Sequence, residues 1–272
     1  NPEFLREGRA VEDFMHPDRI VIGCNDPTSG ELAESVYRGI EAPVIRTEIK
    51  SAEMIKYASN AFLATKISFA NELGNLCKAL RIDAYEVMKG VGMDHRINPH
   101  FLNAGAGFGG SCFPKDLSAL IALAQSLDEK PLILRSVQEV NERQPLRLLE
   151  LLEGKIGRLK GKRIAVLGLA FKNDTDDIRE SRSIPVIMKL KEEGADIVAY
   201  DPKAADSMKR LIQDIEYCPT AADALRGADA CIVMTEWQEF SELDEEFDRM
   251  RSRVIIEGRR ILSCRDIEGI CW

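Results

Sequence analysis

Between residues 49 and 125 apolar side chains recur at the three- and four-residue spacing of helices, with few strand signals. The run SAEMIKYASNAFLATKISFANELGNLCKAL (51–80) holds no proline and predicts one long helix. At about 100° per residue, Ile55, Phe62, Ile67, Phe69, Leu73 and Leu76 cover a broader arc than one core-facing stripe needs. Such a helix is expected to pack on two sides, one of them against a second copy of itself. Ser51, with Glu53 two positions on, offers half a capping box at its start. Residues 83–92 (DAYEVMKGVG) predict a short helix closed by glycine and residues 115–127 another. Residues 131–155 predict one or two more, punctuated by Pro131 and Pro145.

Near Gly157 the pattern changes. KRIAVLGLAF reads as a buried strand over residues 164–169, followed by a polar loop and the helix RSIPVIMKLKEEGA. DIVAYDP, TAADALRGA, CIVMTEW and RVIIEGRRIL continue the alternation of strand and helix at short intervals. That alternation is the signature of right-handed βαβ units. The expected fold class is therefore α/β, with a doubly wound parallel sheet C-terminal to a helical region and a boundary in residues 153–161. Near the N-terminus, RIVIG (19–23) is strand-like and stands alone. It is either the tail of a sheet whose other strands lie outside these residues, or an edge strand added to the later sheet.

Composition narrows the class. The chain has 272 residues, 30% of them charged and 45% hydrophobic, enough for two soluble cores. A formal net charge of -8 argues against nucleic acid or an anionic membrane surface as the main partner. Local Lys and Arg still suit an anionic small molecule. Seven cysteines without CxxC spacing, with only three histidines, show no zinc pattern and fit reduced thiols in the cytoplasm. No apolar run reaches the ~18 residues of a membrane span.

Three stretches bear on chemistry. Gly168 follows a strand as the first glycine of a dinucleotide fingerprint would, but GLAFKNDTDD lacks the later glycines that let backbone approach a pyrophosphate. Lys172 and Arg179 reach phosphates by side chain instead, or the loop is simply solvated. Lys56 and Asn60 lie four apart on one helix face. Together they suit a developing oxyanion; alternatively Asn60 bridges helices and Lys56 is a surface charge. In GAGFGGSCFPKD (105–116), glycines at 105, 107, 109 and 110 permit positive φ and the close approach of a ligand or a second chain segment. Cys112 then meets a helix start, with Pro114 in the first turn. The helix N-terminus and Lys115 favour its thiolate, and Asp116 offers a base or a water-holder. The plain alternative is a small cysteine filling a tight loop.

Five segments together resemble the nucleotide-sugar dehydrogenases of the UDP-glucose/GDP-mannose dehydrogenase family. They are NPEFLREG, AEMIKYASNAFLATKISFANE, MDHRI with FLNAGAGFGGSCFPKD, GLAFKNDTDDIRES and EGRR, in the family's order along the whole chain. The resemblance implies oxidation of the C6 alcohol of a nucleotide-linked sugar, UDP-glucose first, to a carboxylate in two NAD-dependent steps. A thiohemiacetal and then a thioester would form on the cysteine. By position it makes Cys112 the nucleophile, Lys56 and Asn60 the oxyanion donors, Asp116 the water-holder and Glu3 an aid to hydrolysis. Substrate contacts are implied for Phe4, Leu5, Arg6, Glu7, Phe101, Leu102, Asn103, Ala104, Gly105, Gly109, Phe171, Lys172 and Arg259. Arg96 matches an arginine passed across a dimer interface, and Glu7, Lys115 and Arg179 match positions that approach NAD.

The resemblance also implies an architecture. Residues 1–48 would be the remnant of an N-terminal NAD-binding Rossmann domain, with RIVIG its last strand and its glycine fingerprint absent from the chain. Residues 49–156 would form a central helical dimerisation domain carrying the cysteine, and residues 157–272 a Rossmann-like UDP-binding domain. The chain alone is then expected to bind nucleotide sugar poorly or partially and not to turn over NAD. Glu257 stands where Asp is more usual. Ser111 precedes the cysteine where the UDP-N-acetylmannosamine branch usually carries His, which argues against that substrate. GDP-mannose stays open, as does a nucleotide-binding dimerisation module without chemistry.

Overall fold

A computed structural model describes residues 1–264 and 266–272, which gather into two compact units, Asn1–Phe62 and Leu63–Trp272. The first unit runs α1 (Ala10–Met15), β1 (Ile20–Gly23), α2 (Pro27–Ser35), β2 (Val44–Thr47) and the first part of α3 (Ile49–Leu80). β1 and β2 pair in parallel, from Ile20 opposite Val44 to Gly23 opposite Thr47, with α2 as the crossover. Asp26 starts α2 by accepting the Ser29 N–H at 2.9 Å, and Pro27 takes the first helical position, where a missing N–H does no harm. RIVIG is thus not an edge of the later sheet, and it is not the last strand of its own, because β2 follows and pairs with it. VIRT carries no strand signal in the sequence because its side chains are mostly exposed and show no alternation.

α3 is the long helix, and it begins at Ile49, so Ser51 lies inside it and makes no capping box. The broad apolar arc divides in an unexpected way. Ala64, Ser68, Ala70, Asn71, Gly74 and Cys77 are buried, while Phe69, Leu76 and Leu80 are exposed. Small side chains are what permit close packing on the inner side. A Cβ on Gly74 would stand 2.7 Å from Cys271 Sγ and 2.9 Å from Ala104 Cβ.

The second unit continues with α4 (Ala84–Gly92), α5 (Cys112–Ser126), α6 (Leu132–Arg143) and α7 (Arg147–Ile156). Strand and helix then alternate as β3 (Arg163–Leu167), α8 (Ser183–Glu192), β4 (Asp196–Tyr200), α9 (Ala205–Leu211), β5 (Glu216–Tyr217) and α10 (Ala221–Leu225). β6 (Ala230–Val233), α11 (Asp244–Phe247), β7 (Ile255–Glu257) and β8 (Ile267–Gly269) complete it. The sheet is parallel in the order β5-β4-β3-β6-β7-β8. Counted within the sheet this is 3-2-1-4-5-6, the Rossmann order, whose switch point falls between β3 and β6. Both central strands are almost wholly buried, as a sheet covered by helices on two faces requires.

β3 ends at Leu167, earlier than expected, because Gly168 turns the chain at φ +91°. A Cβ there would lie 2.6 Å from the Thr235 backbone and side chain, so only glycine fits. Among the described residues, no helix is long and apolar enough to cross a membrane, and no group of three His, Cys, Asp or Glu side chains is placed to hold a metal.

Candidate active site

The segment 104–110 is pinned in the second unit by polar side chains from four directions. Asn71 of α3 accepts the Gly105 N–H at 2.7 Å, and Tyr85 of α4 donates its hydroxyl to the Ala104 carbonyl at 2.8 Å. Asn141 of α6 pairs with both backbone groups of Phe108, at 2.7 and 3.0 Å. Gln144 donates to the Gly105 carbonyl at 2.9 Å. From beyond β7, the Gly258 carbonyl accepts the Ala106 N–H at 2.9 Å and Arg259 donates to the Gly107 carbonyl at 2.8 Å. Asn71, Asn141 and Gln144 are buried, so each bond replaces one that water would otherwise make. Burial pushes the Tyr85 phenol up to about 12, which keeps it a donor.

The glycines answer to this packing. A Cβ on Gly109 would meet the Glu180 carbonyl oxygen at 2.3 Å. Gly110 sits at φ +80°, with the Phe171 ring 2.8 Å from where its Cβ would be. The close approach of another chain segment, one of the two uses expected for these glycines, is seen at Gly109 and Gly110.

What the pinned loop presents is Cys112. It is exposed and is the first residue of α5. Ser111 at the N-cap makes no side-chain cap bond, and its hydroxyl lies 3.7 Å from the thiol sulfur. The first-turn N–H groups of a helix carry partial positive charge and favour an anion at this end. Beneath the cysteine, Phe113 braces the turn between Phe101 and Phe108, with centroids 6.2 and 5.9 Å away. Asp116, one turn on, is buried and ion-paired with Lys115 at 3.0 Å, so the two residues assigned to water and to cofactor face each other. Lys115 also lines a cleft of about 330 Å³ with Pro114, Ser118, Gln138, Glu142 and Arg182.

The remaining second-unit candidates divide. Phe171 and Lys172 follow β3 at the switch point, with the Lys172 ammonium 5.6 Å from the Phe171 ring centroid. Arg259 joins that region to the glycine loop and lies 3.2 Å from Glu236, close enough for an ion pair but without hydrogen-bond geometry. Leu102 and Ala104 are buried, Asn103 is exposed, and Phe101 sits at φ +64°. Arg96 is exposed and closes on Asp94 of its own turn at 2.6 Å. Arg179 closes on Asp177 at 2.6 Å.

In the first unit, taken by itself, Lys56 lines a cavity of about 270 Å³ with Asn1, Pro2, Gly23, Glu53 and Tyr57. Its ammonium stands 5.3 Å from the Phe4 ring centroid, and the Arg19 guanidinium 4.2 Å from the same ring. Asn60 is buried on α3. Glu3 accepts the Leu5 N–H. Arg6 is committed to Asp13 through its guanidinium at 2.5 and 2.9 Å and its backbone N–H at 2.8 Å. That grip holds the Asp13 carboxyl down at about 2. Glu7 is exposed in the turn before α1.

Whether these residues fit NAD turns on the strand-to-helix turns. The turn after β1 reads Cys24-Asn25-Asp26-Pro27 and that after β3 reads Gly168-Leu169-Ala170-Phe171. Neither is Gly-x-Gly-x-x-Gly, and Gly168 is taken up by Thr235. These two turns do not form the pyrophosphate cradle of that fingerprint, and none of their residues is assigned a part in hydride transfer.

Three domain models of one family match in sequence order. The UDP-glucose/GDP-mannose dehydrogenase NAD binding domain matches residues 1–41, the central domain residues 50–143 and the UDP binding domain residues 165–264. A UDP-glucose 6-dehydrogenase of Haloferax volcanii is 51% identical over 98% of this chain, which spans 63% of that protein. The UDP-glucose 6-dehydrogenase TuaD of Bacillus subtilis is 42% identical over 99% of the chain, which spans 59% of it. Among solved structures, a UDP-glucose dehydrogenase from Pyrobaculum islandicum superimposes with a TM-score of 0.95 at 43% identity, over all of this chain and 63% of that one. A UDP-D-ManNAc dehydrogenase from Pyrococcus horikoshii reaches 0.85 at 28%, over 99% of this chain and 63% of that one. The chain thus spans about 60% of the length of the relatives it matches. With the same three domain types in the same order, and with the fold of its relatives, the chain belongs to the UDP-glucose/GDP-mannose dehydrogenase family.

Proposed function

We propose that these residues are the cysteine-bearing and nucleotide-binding part of an NAD-dependent UDP-glucose 6-dehydrogenase, a cytoplasmic enzyme making UDP-glucuronate. The single observation that carries this is the exposed Cys112 at the first position of α5, presented by a loop whose backbone is fixed at both sides. NAD supplies the hydride acceptor for both oxidations. The chain's own work is on the carbon. The Cys112 sulfur adds to the C6 aldehyde carbon, forming a C–S bond, and the carbonyl oxygen takes up a proton to give a thiohemiacetal. Once that carbon is oxidised to the thioester, water attacks it, the C–S bond breaks, and the carboxylate and free thiol are released. Lys56 and Asn60 are the proposed oxyanion donors. Asp116 orients the attacking water, and Glu3 assists hydrolysis.

Phe171, Lys172 and Arg259, with the segment 101–105 and Gly109, are the proposed contacts to the sugar nucleotide, joined by Phe4, Leu5, Arg6 and Glu7. Arg6 must release Asp13 to take part. Arg96 is proposed to act across a homodimer formed through α3, whose exposed Phe69, Leu76 and Leu80 suit a partner's apolar face. The division into 1–48, 49–156 and 157–272 is retained as the proposed domain plan. Because neither the turn after β1 nor that after β3 carries the glycine fingerprint, these 272 residues are not expected to reduce NAD themselves.

The test is alkylation of Cys112 by iodoacetamide, followed by mass spectrometry, with and without UDP-glucose, GDP-mannose and UDP-N-acetylmannosamine. UDP-glucose should slow the reaction most. Equal rates with and without every nucleotide sugar would refute the reading, and protection by GDP-mannose alone would move the substrate.

A further inference from the structure

We propose that Asp201 is a positioning residue for the nucleotide, a buried carboxylate that ties together three loops at the switch point and so sets the place of Phe171 and Lys172. Asp201 directly follows β4. Its Oδ2 accepts the backbone N–H of Leu169 at 2.6 Å, that of Ala170 at 3.0 Å and the indole N–H of Trp237 at 3.0 Å. Its Oδ1 accepts the backbone N–H of Lys203 at 2.9 Å and of Ala204 at 2.7 Å. The five donors come from the loops after β3, β4 and β6, the ones that border the crevice where sheets of this order bind ligands.

The direction of the carboxylate is the point. In a dinucleotide-binding sheet, an acid placed after the second strand reaches outward to ribose hydroxyls. Here both oxygens face the chain's own donors, and the residue is buried. Charge-assisted bonds to fixed N–H groups hold backbone in one conformation more firmly than neutral ones. The constraint passes along the loop after β3. Thr235 donates to the Ala170 carbonyl at 2.7 Å, and the Phe171 N–H donates to the Asp177 carbonyl at 3.0 Å. The Phe171 ring then lies against Gly110, two residues ahead of Cys112. One carboxylate thus fixes the segment that offers Lys172 to a phosphate and seats the loop that presents the thiol. The inference rests on the reading that this sheet binds the UDP moiety.

Calorimetric titration of the 272-residue chain with UDP tests it, at a temperature where melting curves show every variant folded. In Asp201→Asn an amide NH2 replaces one acceptor and confronts N–H donors, so affinity should fall about tenfold or more. Lys172→Met should also weaken UDP, and the double variant should fall well short of the sum, since both changes act on one contact. Trp237→Phe removes a single donor and should weaken UDP a few-fold. A folded Asp201→Asn chain that binds UDP as the unaltered chain does, or strict additivity with Lys172→Met, overturns the inference. Should Asp201→Asn fail to fold, unchanged affinity in Trp237→Phe overturns it. Absence of UDP binding by the folded, unaltered chain refutes the functional reading and this inference with it, before any substitution is compared.

Discussion

Cys112 differs from the other six thiols in exposure and in surroundings. Burial pushes Cys218 up to about 11 and Cys271 up to about 12, and raises Cys231 and Cys264 as well. A raised thiol stays protonated, and therefore unreactive, to higher pH. Iodoacetamide at pH 8 should thus modify Cys112 faster than Cys218, Cys231, Cys264 and Cys271, read as a mass adduct on the Cys112 peptide that Cys112→Ser abolishes. Glu257 makes a second prediction at this scale. Burial raises its carboxyl to about 7, even though Oε1 accepts the N–H groups of Ile261 and Leu262 at 2.6 and 2.8 Å. An acid with a raised folded-state value binds its proton more tightly in the fold than in the unfolded chain. Its stabilising effect is therefore present at low pH and lost as pH rises from ~4.3 towards 7. Glu257→Gln keeps the acceptor and cannot ionise, so it should gain on the parent between pH 5 and pH 8, by up to about 3 kcal/mol at the upper end. Urea unfolding across that range checks it; parallel stability curves for parent and variant would refute it.

The glycine loop behaves as an element although it has no regular structure. Its rigidity comes from bonds made by side chains 19 or more residues away, with Asn141 satisfying both backbone groups of Phe108. Asn141→Ala should leave a buried donor and acceptor unpaired and cost about 2–4 kcal/mol in denaturant unfolding. Gly109→Ala places a methyl against the Glu180 carbonyl, which is backbone and cannot swing aside, and should cost a comparable amount. A variant that keeps full stability would show that the loop relaxes easily. The legibility of this element was partial. Cys112, Pro114 and the glycines were visible as a costly local pattern, and the helix after them followed from its spacing. Asn71, Asn141 and Gln144 were not, because an amide inside an amphipathic helix carries no mark of the partner it meets. Their only signal is a polar residue where the apolar stripe would pass.

For the whole molecule, the proposed dimer depends on α3. Its inner side is made of small residues, and its outer side leaves Phe69, Leu76 and Leu80 in solvent. If that face meets a second copy, Phe69→Glu with Leu76→Glu should turn a dimer into a monomer in sedimentation equilibrium, with the helical circular dichroism retained. A monomeric parent would remove the ground for a homodimer. The catalytic prediction at this scale is that UDP-glucose and NAD added to these 272 residues produce no NADH absorbance, since neither the turn after β1 nor that after β3 carries the glycine fingerprint. Rapid NADH formation would show that a cradle is built by other means.

The sequence by itself determined the elements and the chemistry on offer: a long helix, a run of alternating strands and helices, a degraded fingerprint after the first strand of the sheet, and one thiol at a helix start. These are readable because periodicity, capping and turn residues act over a few positions. Tertiary structure alone decided that VIRT pairs with RIVIG, that the glycines face Phe171 and Glu180, and that Asp201 turns inward to five donors. Those outcomes depend on which segments meet across tens of residues. Hydrogen bonding and close packing settle them only when the loops at the strand ends are brought together, and no local pattern encodes that meeting.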